Sequence, residues 1–167
     1  QVITVAIEKG GTGKTVTASN LAYLMGDEGK KVLCIDTDPQ GNLTKALSGG
    51  MSITSDEFSG KALYNLFDSF LYNSKTNDFI METNYENVDM IPCDAQTTRI
   101  NKRIELLIED SKRLKEGDPK KVSSMGAFLD YFIGQVRDDY DFVIIDTQPT
   151  RDSLLLSNAI YAADYVL

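Results

Sequence analysis

Residues 2–15 read VITVAIEKGGTGKT and join a short β-branched run to a cluster of glycines and lysines. The run at residues 2–7 has the composition of a buried strand. From Lys14 onward the apolar residues take helical spacing. They lie on one face at Ala18, Leu21, Ala22 and Met25. This stretch predicts a strand, a glycine-rich turn and a helix, with the turn at the carboxyl end of the strand.

The rest of the chain alternates strand-like and helix-like segments. Apolar runs at residues 31–36, 87–91 and 142–145 predict three further strands. One helix is predicted around Ile100, Ile104 and Leu107, and another across residues 122–136. The second carries Val122, Met125, Leu129, Phe132, Ile133 and Val136. Alternation of this kind predicts an α/β fold, an open, mostly parallel sheet with helices on both faces.

Residues 43–77 have a weaker pattern, in which only 62–67 predicts a short helix. A length of 167 residues suits one domain, so residues 1–167 are interpreted as a single domain. Residues 164–167 have the pattern of a strand that has just begun, and residue 1 is Gln rather than Met. We therefore expect the sequence to be incomplete at its carboxyl end.

Composition removes several classes of function. The chain has no histidine, which excludes histidine triads and most zinc sites. Its net charge of −8 argues against a surface that coats nucleic acid throughout. Cys34 and Cys93 lack the spacing of a zinc site or a disulfide scaffold and are expected to be reduced thiols. With no apolar run of membrane-spanning length, we expect a cytoplasmic protein without membrane contact.

The polar residues that follow the first predicted strand suit a phosphate group. Glycine-rich backbone at a strand-to-helix junction lets several N–H groups converge on phosphate oxygens, and the helix N-terminus adds positive potential. Lys14 would bridge the β- and γ-phosphates of a nucleotide, and the Thr15 hydroxyl would coordinate Mg²⁺. The alternative is a flexible glycine turn with incidental lysines.

Two more acidic clusters follow predicted strands and would face the same crevice. After the second strand, Asp38 is the candidate to orient an attacking water and Asp36 the candidate to support the metal. After the last long strand, Asp146 is the candidate to hold Mg²⁺ directly or through water. Taken separately, the cluster after the second strand also fits an Asp-Pro turn, and Asp146 also fits a helix cap.

The glycine-rich segment departs from the ordinary Gly-x-x-x-x-Gly-Lys-Ser/Thr template because Glu8 takes the first glycine position and Lys9 precedes the loop. It resembles the deviant Walker A signature of the ParA/MinD superfamily of P-loop NTPases, in which the extra lysine is the defining residue. The resemblance implies that Lys9 reaches the partner subunit's nucleotide in an ATP-dependent dimer. The nucleotide-binding residues that it implies are Gly10, Gly11, Thr12, Gly13, Lys14, Thr15 and Val16.

Residues 36–44, DTDPQGNLT, are similar to the A-prime motif of chromosome and plasmid partition ATPases, and residues 141–149 are similar to the family's Walker B element. Two departures are Val16, where a second hydroxyl often follows the loop threonine, and Gln148, where the family more often has proline. The Gln148 departure bears on the local turn and on the sensing of the γ-phosphate that the resemblance implies. Neither Val16 nor Glu8 removes a primary phosphate or Mg²⁺ ligand.

The resemblance implies a ParA-like (Soj-like) partition ATPase that hydrolyses ATP slowly. It also implies a homodimer on non-specific DNA, a ParB-like centromere-binding partner and a nucleoid-associated location. Three alternatives share the phosphate loop. They are a MinD-like cell-division regulator, an iron–sulfur reductase, which is disfavoured because Cys34 lies in a predicted buried strand, and a synthetase of the cobyrinic acid or dethiobiotin type.

Overall fold

Six strands form one sheet in the computed structural model, which describes residues 1–7, 11, 13–50, 58, 60–72, 74–118, 120–121, 126–150 and 153–167. The strands are β1 Val2–Val5, β2 Val32–Asp36, β3 Met81–Glu82, β4 Val88–Ile91, β5 Phe142–Asp146 and β6 Tyr165–Val166. Their order across the sheet is β3-β4-β2-β5-β1-β6. All pairings are parallel except that of β3 with β4.

The register brings the carboxyl ends of the central strands to one level. In the pairing of β2 with β5, Asp36 lies opposite Asp146. In the pairing of β1 with β5, Val5 lies opposite the same Asp146. The segments that leave these three strands therefore start side by side at one edge of the sheet.

Six helices accompany the described part of the sheet. They are α1 Lys14–Asp27, α2 Asn42–Leu47, α3 Leu63–Asp68, α4 Ile100–Lys112, α5 Phe128–Gly134 and α6 Leu154–Ala162. Short 3₁₀ turns occur at Ser69–Leu71, Thr76–Phe79, Ala95–Arg99 and Arg137–Asp139.

The helices cover both faces of the sheet, which explains the continuous apolar runs of the central strands. Successive residues of β2 alternate between two buried clusters. Leu33 packs in the cluster that contains Ile104 of α4 and Phe132 of α5. Cys34 packs in the cluster that contains Ala18 of α1. The predicted fold class is confirmed, including the open, mostly parallel sheet and the helices on both faces.

Several predicted elements differ from the structure in their bounds. The strand predicted at residues 2–7 ends at Val5. The helix predicted at 122–136 is observed at Phe128–Gly134; residues 122–125 lie outside the described residues. Val136 is buried but lies just before a 3₁₀ turn rather than within the helix. Its apolar character therefore reflects burial in the core and not helical periodicity.

Both cysteines are free, in line with the expected reduced thiols, and both are buried. In the described part of the chain, no helix has the length and apolar content that crossing a membrane requires.

Candidate functional site

A crevice of about 420 Å³ lies where the carboxyl ends of β1, β2 and β5 meet α1. Its described lining residues come from three of the sequence segments that were expected to converge. They are Gly11, Gly13, Lys14, Thr15, Val16, Asp38, Asn42 and Pro149. The structure thus brings the glycine-rich segment and Asp38 to one cavity, as the strand-end argument predicts.

The turn into α1 depends on glycine at two positions. Gly11 has φ of 72° and Gly13 has φ of 85°, a left-handed conformation that side chains with Cβ rarely adopt. Gly13 is the N-cap of α1 and supplies no side-chain hydrogen bond. The first-turn amides of a helix have no intrahelical acceptor, and α1 has no acidic residue in that turn. This end of α1 therefore suits an anion at the crevice.

Thr15 and Asp146 are in direct contact below the crevice. The Thr15 hydroxyl donates to Oδ2 of Asp146 at 2.7 Å. Asp146 is completely buried, and its other oxygen, Oδ1, has no hydrogen-bond partner among the described residues. A buried carboxylate oxygen without a donor is costly, and a cation or a water bound to a cation would satisfy it. The hydroxyl and carboxylate oxygens are donors that suit Mg²⁺.

The burial of the Asp146 carboxylate also favours a bound cation. Burial is the main cause that raises the pKa of Asp146 to about 6. The hydrogen bond from Thr15 opposes this increase, and the charge of Asp38 adds to it. The described residues include no group of three or more His, Cys, Asp or Glu side chains that could hold a metal alone. Mg²⁺ commonly takes one or two carboxylates together with phosphate oxygens and waters, which fits this donor set.

Asp36 lies beside Asp146 but its oxygens face the protein. Oδ2 accepts from the backbone N–H and the hydroxyl of Thr44 at 2.8 and 2.7 Å, and Oδ1 accepts from the backbone N–H of Asp38 at 3.1 Å. Burial raises the pKa of Asp36 to about 7, while the hydrogen bonds from Thr44 oppose the increase. In this geometry Asp36 fixes the loop that follows β2. Its support of a metal stays a prediction.

Asp38 is half-buried and lines the crevice. Its Oδ1 accepts from the backbone N–H of Gln40 at 3.0 Å, and its carbonyl oxygen accepts from the N–H of Gly41 at 2.8 Å. Gly41 has φ of 61° and is the N-cap of α2. The Asp38 carboxylate is therefore held by a tight turn at the mouth of the crevice, where a role in orienting water stays a prediction.

Two buried threonines tie the strand ends together, and the sequence analysis missed them. The hydroxyl and the N–H of Thr37 both donate to the carbonyl oxygen of Asp146, at 2.8 and 2.9 Å. The Thr147 hydroxyl donates to the carbonyl oxygen of Val5 at 2.8 Å. A signal was present, because the dipeptide Asp-Thr follows the apolar run of both β2 and β5. Each threonine locks its strand end to a neighbouring strand.

Some of the remaining residues that the sequence singles out lie outside the described residues, whereas Val16 and Gln148 are described. Lys9, Gly10 and Thr12, like Glu8, lie outside the described residues, so their roles stay predictions. Val16 lies in the first turn of α1, lines the crevice and is 62% exposed. Gln148 donates from Nε2 to the hydroxyl of Ser153 at 3.1 Å. Because Ser153 is the N-cap of α6, the Gln148 side chain connects the segment after β5 to that helix.

Comparison with known proteins gives one matching family model, described as an AAA domain, over residues 1–167. The sporulation initiation inhibitor protein Soj of Bacillus subtilis is 31% identical over 167 residues, which are 100% of this chain and 56% of that protein. The chromosome partitioning protein ParA of Myxococcus xanthus is 28% identical, over 100% of this chain and 50% of that protein. The chain spans about half the length of the curated relatives it matches.

Solved structures have the same fold. A putative plasmid partition protein of Borrelia burgdorferi bound to AMPPNP has a TM-score of 0.74 and 27% identity, over 99% of this chain and 59% of that one. Cobyrinic acid a,c-diamide synthase of Mycobacterium smegmatis with ADP and magnesium has a TM-score of 0.78, over 99% and 58% of the two chains. Its identity of 22% supports likeness of fold alone.

Proposed function

The chain belongs to the AAA-domain family, as an ATPase of the ParA/MinD type, and from that premise we propose that it binds ATP with Mg²⁺ and hydrolyses ATP slowly. One observation supports the site most strongly. The Thr15 hydroxyl contacts buried Asp146, whose Oδ1 has no partner among the described residues, directly below a crevice lined by Lys14. The Borrelia relative with bound AMPPNP supports ATP as the nucleotide.

The residues of this chain divide the work of binding. The amides at the start of α1, together with Gly11 and Gly13, would contact phosphate oxygens. Lys14 supplies a positive charge at the wall of the crevice. Thr15 and Asp146 would hold Mg²⁺, with Asp36 in support. When bound there, Mg²⁺ would supply positive charge that offsets the negative charge of the phosphates.

Hydrolysis needs an oriented water opposite the leaving phosphate. Asp38 is the acidic side chain that lines the described crevice from the β2 side, so we assign the orientation of that water to it. Its Oδ1 accepts from the backbone N–H of Gln40, and this contact fixes the carboxylate. In the proposed role the Asp38 carboxylate would accept a hydrogen bond from the water.

The relatives named for chromosome and plasmid partition support a role in DNA segregation. We propose an ATP-dependent homodimer that binds DNA without sequence preference, responds to a ParB-like partner and acts in the cytoplasm on the nucleoid. Lys9 would contact the nucleotide of the partner subunit. That role of Lys9 rests on the family resemblance.

The test is ATP turnover and ATP-dependent dimerisation of the full-length protein, with and without non-specific duplex DNA. Lys14→Ala should abolish ATP binding, Asp38→Ala should lower turnover to a small residual rate while ATP still binds, and Lys9→Ala should prevent the dimer. DNA should bind only the ATP dimer. If ATP binds but neither dimerisation nor DNA responds, the partition proposal is wrong; ATP turnover that depends on a carboxylate substrate would then identify a synthetase.

A further inference from the structure

Cys93 connects the end of β4 to the loop that carries Asp38. Its thiol donates to the carbonyl oxygen of Asp38, and its backbone N–H donates to the Thr44 hydroxyl at 3.0 Å. The same Thr44 hydroxyl donates to Asp36. Cys93 therefore contacts the loop after β2 at two points, one of which is Asp38 itself.

The contact is significant because the Asp38 side chain makes its described hydrogen bond only to its own turn. Oδ1 accepts from Gln40, two residues along the chain. The direction of the carboxylate is thus set by the backbone of residues 38–41, and the Cys93 thiol bonds to that backbone from a different strand. A small displacement of a reacting group can lower a rate about a hundredfold, so an anchor at this carbonyl bears on catalysis.

The surroundings of Cys93 keep its thiol in the donor form. The residue is 1% exposed, and Sγ also lies 3.2 Å from the Thr97 hydroxyl. Burial is the main cause that raises the pKa of the Cys93 thiol, and the charge of Asp36 adds to it. A thiol of this kind is inert as a nucleophile and remains a hydrogen-bond donor.

We propose that Cys93 is a positioning residue for hydrolysis, which holds the Asp38 backbone so that the Asp38 carboxylate stays directed into the crevice. This inference rests on the proposed function, in which Asp38 orients the attacking water. Cys93 is not among the described residues that line the crevice, so it would act through Asp38.

The experiment measures kcat and KM for ATP in the full-length protein with three substitutions. Cys93→Val removes the donor and adds one methyl group, Cys93→Ser retains a donor, and Cys34→Val is the control for the added methyl group in a buried cysteine. Cys34 is also completely buried, but it packs among apolar residues of β2, α1 and α2. Cys93→Val should lower kcat roughly three- to tenfold, the usual effect of one hydrogen bond, with KM for ATP within about twofold. Cys93→Ser should restore most of kcat, and Cys34→Val should leave it unchanged.

Two further measurements separate positioning from general structure. In the background of Asp38→Ala, Cys93→Val should cause no additional loss of the residual rate, because its effect passes through Asp38. Amide hydrogen exchange at residues 38–41 should be faster in Cys93→Val than in Cys34→Val.

The outcomes distinguish the two proposals. If Asp38→Ala turns over ATP at the normal rate, the proposed role of Asp38 is wrong, and the positioning role fails with it. If Asp38→Ala is inactive but Cys93→Val has normal kcat, only the positioning role is wrong. Equal effects of Cys93→Val and Cys34→Val on kcat and on exchange would also overturn it.

Discussion

At the scale of single residues, Asp146 is the point where the site and the sheet are joined. Its carboxylate accepts from Thr15 of α1, and its carbonyl oxygen accepts from Thr37 after β2. A change in the position of Asp146 therefore moves both the phosphate loop and the Asp38 loop. Asp146 is buried completely, and its contact with Thr37 is shielded from solvent.

Removing the Thr15 hydroxyl tests this junction. Thr15→Val should lower ATP turnover by about a hundredfold or more, because a Mg²⁺ ligand is lost and Asp146 loses its donor. The dependence of the rate on Mg²⁺ concentration should shift to higher concentration. Thr17→Val, the same substitution at an exposed position of α1, is the control. A normal Mg²⁺ dependence in Thr15→Val would contradict the assignment.

The raised pKa of Asp36 predicts how the stability of the metal-free protein depends on pH. Its pKa is raised by burial to about 7, against a usual value of 3.8. The stability that it contributes is therefore present below about pH 4 and is lost as the pH rises through about 7. In EDTA, we expect the free energy of unfolding to fall by up to about 1 kcal/mol per pH unit between about pH 5 and 7.

Denaturant unfolding of the wild type and Asp36→Asn at several pH values checks this expectation. Asp36→Asn removes the titrating group, so its stability should decrease less over the same interval. Part of the decrease should remain, because burial also raises the pKa of Asp146 to about 6. If the free energy of unfolding depends on pH with the same slope in the two proteins, ionising Asp36 does not destabilise the folded state, and the prediction is wrong.

At the scale of elements, α1 approaches β4 closely at Gly26. A Cβ built on Gly26 would lie 2.7 Å from the carbonyl oxygen of Glu86 and 2.7 Å from a methyl group of Val88. Gly26→Ala should therefore destabilise the protein by about 1–3 kcal/mol, as overpacking usually does. Thermal or urea unfolding measures this.

Gly134→Ala provides the matched control for Gly26→Ala. Gly134 ends α5, a Cβ there would meet nothing within 4 Å, and its φ is outside the left-handed region. We expect Gly134→Ala to be neutral or to stabilise by up to about 1 kcal/mol. Equal losses at both positions would mean that close packing is not what Gly26 provides.

The elements that the sequence predicted well are those that bury a regular pattern. β2 and β5 have apolar runs because both of their faces are covered, and α4 has Ile100, Ile104 and Leu107 fully buried at helical spacing. Two short elements, α2 and β3, were missed, although the equally short α3 was predicted. α2 follows the left-handed Gly41 and has only two buried apolar residues, Leu43 and Leu47. β3 has two residues at the edge of the sheet, which is too few for a periodic pattern.

The site was predictable to a similar extent. Lys14, Thr15, Asp38 and Asp146 follow strand ends or begin the first helix, so topology alone brings them together. The contacts of Cys93 were not predictable. It lies 55 residues from Asp38 in sequence, and its hydrogen bond depends on the register of β4 beside β2.

At the scale of the whole molecule, the crevice is built on the three strands β1, β2 and β5, which are adjacent in the sheet. A ligand bound there should stabilise the fold rather than one loop. A ligand at a hundred times its Kd raises the free energy of unfolding by about 2.7 kcal/mol. We therefore expect MgATP to raise the Tm of the full-length protein by several degrees.

Lys14→Ala should abolish the increase in Tm, and EDTA should reduce it. Differential scanning fluorimetry with ATP, ADP and no nucleotide provides the measurement. AMP, which lacks the β- and γ-phosphates, serves as the negative ligand. An equal increase in wild type and Lys14→Ala would place the nucleotide at another site.

The position of β5 between β1 and β2 also bears on how the protein is made. The ribosome synthesises β1, the phosphate loop and β2 early, but in the finished sheet those two strands do not pair with each other. The strand that separates them, with the Asp146 carboxylate, emerges more than a hundred residues later. A nascent chain that stops before Phe142 has its glycine-rich loop but lacks the partner of Thr15. Nucleotide binding therefore becomes possible only late in synthesis, when long-range strand pairing completes the sheet.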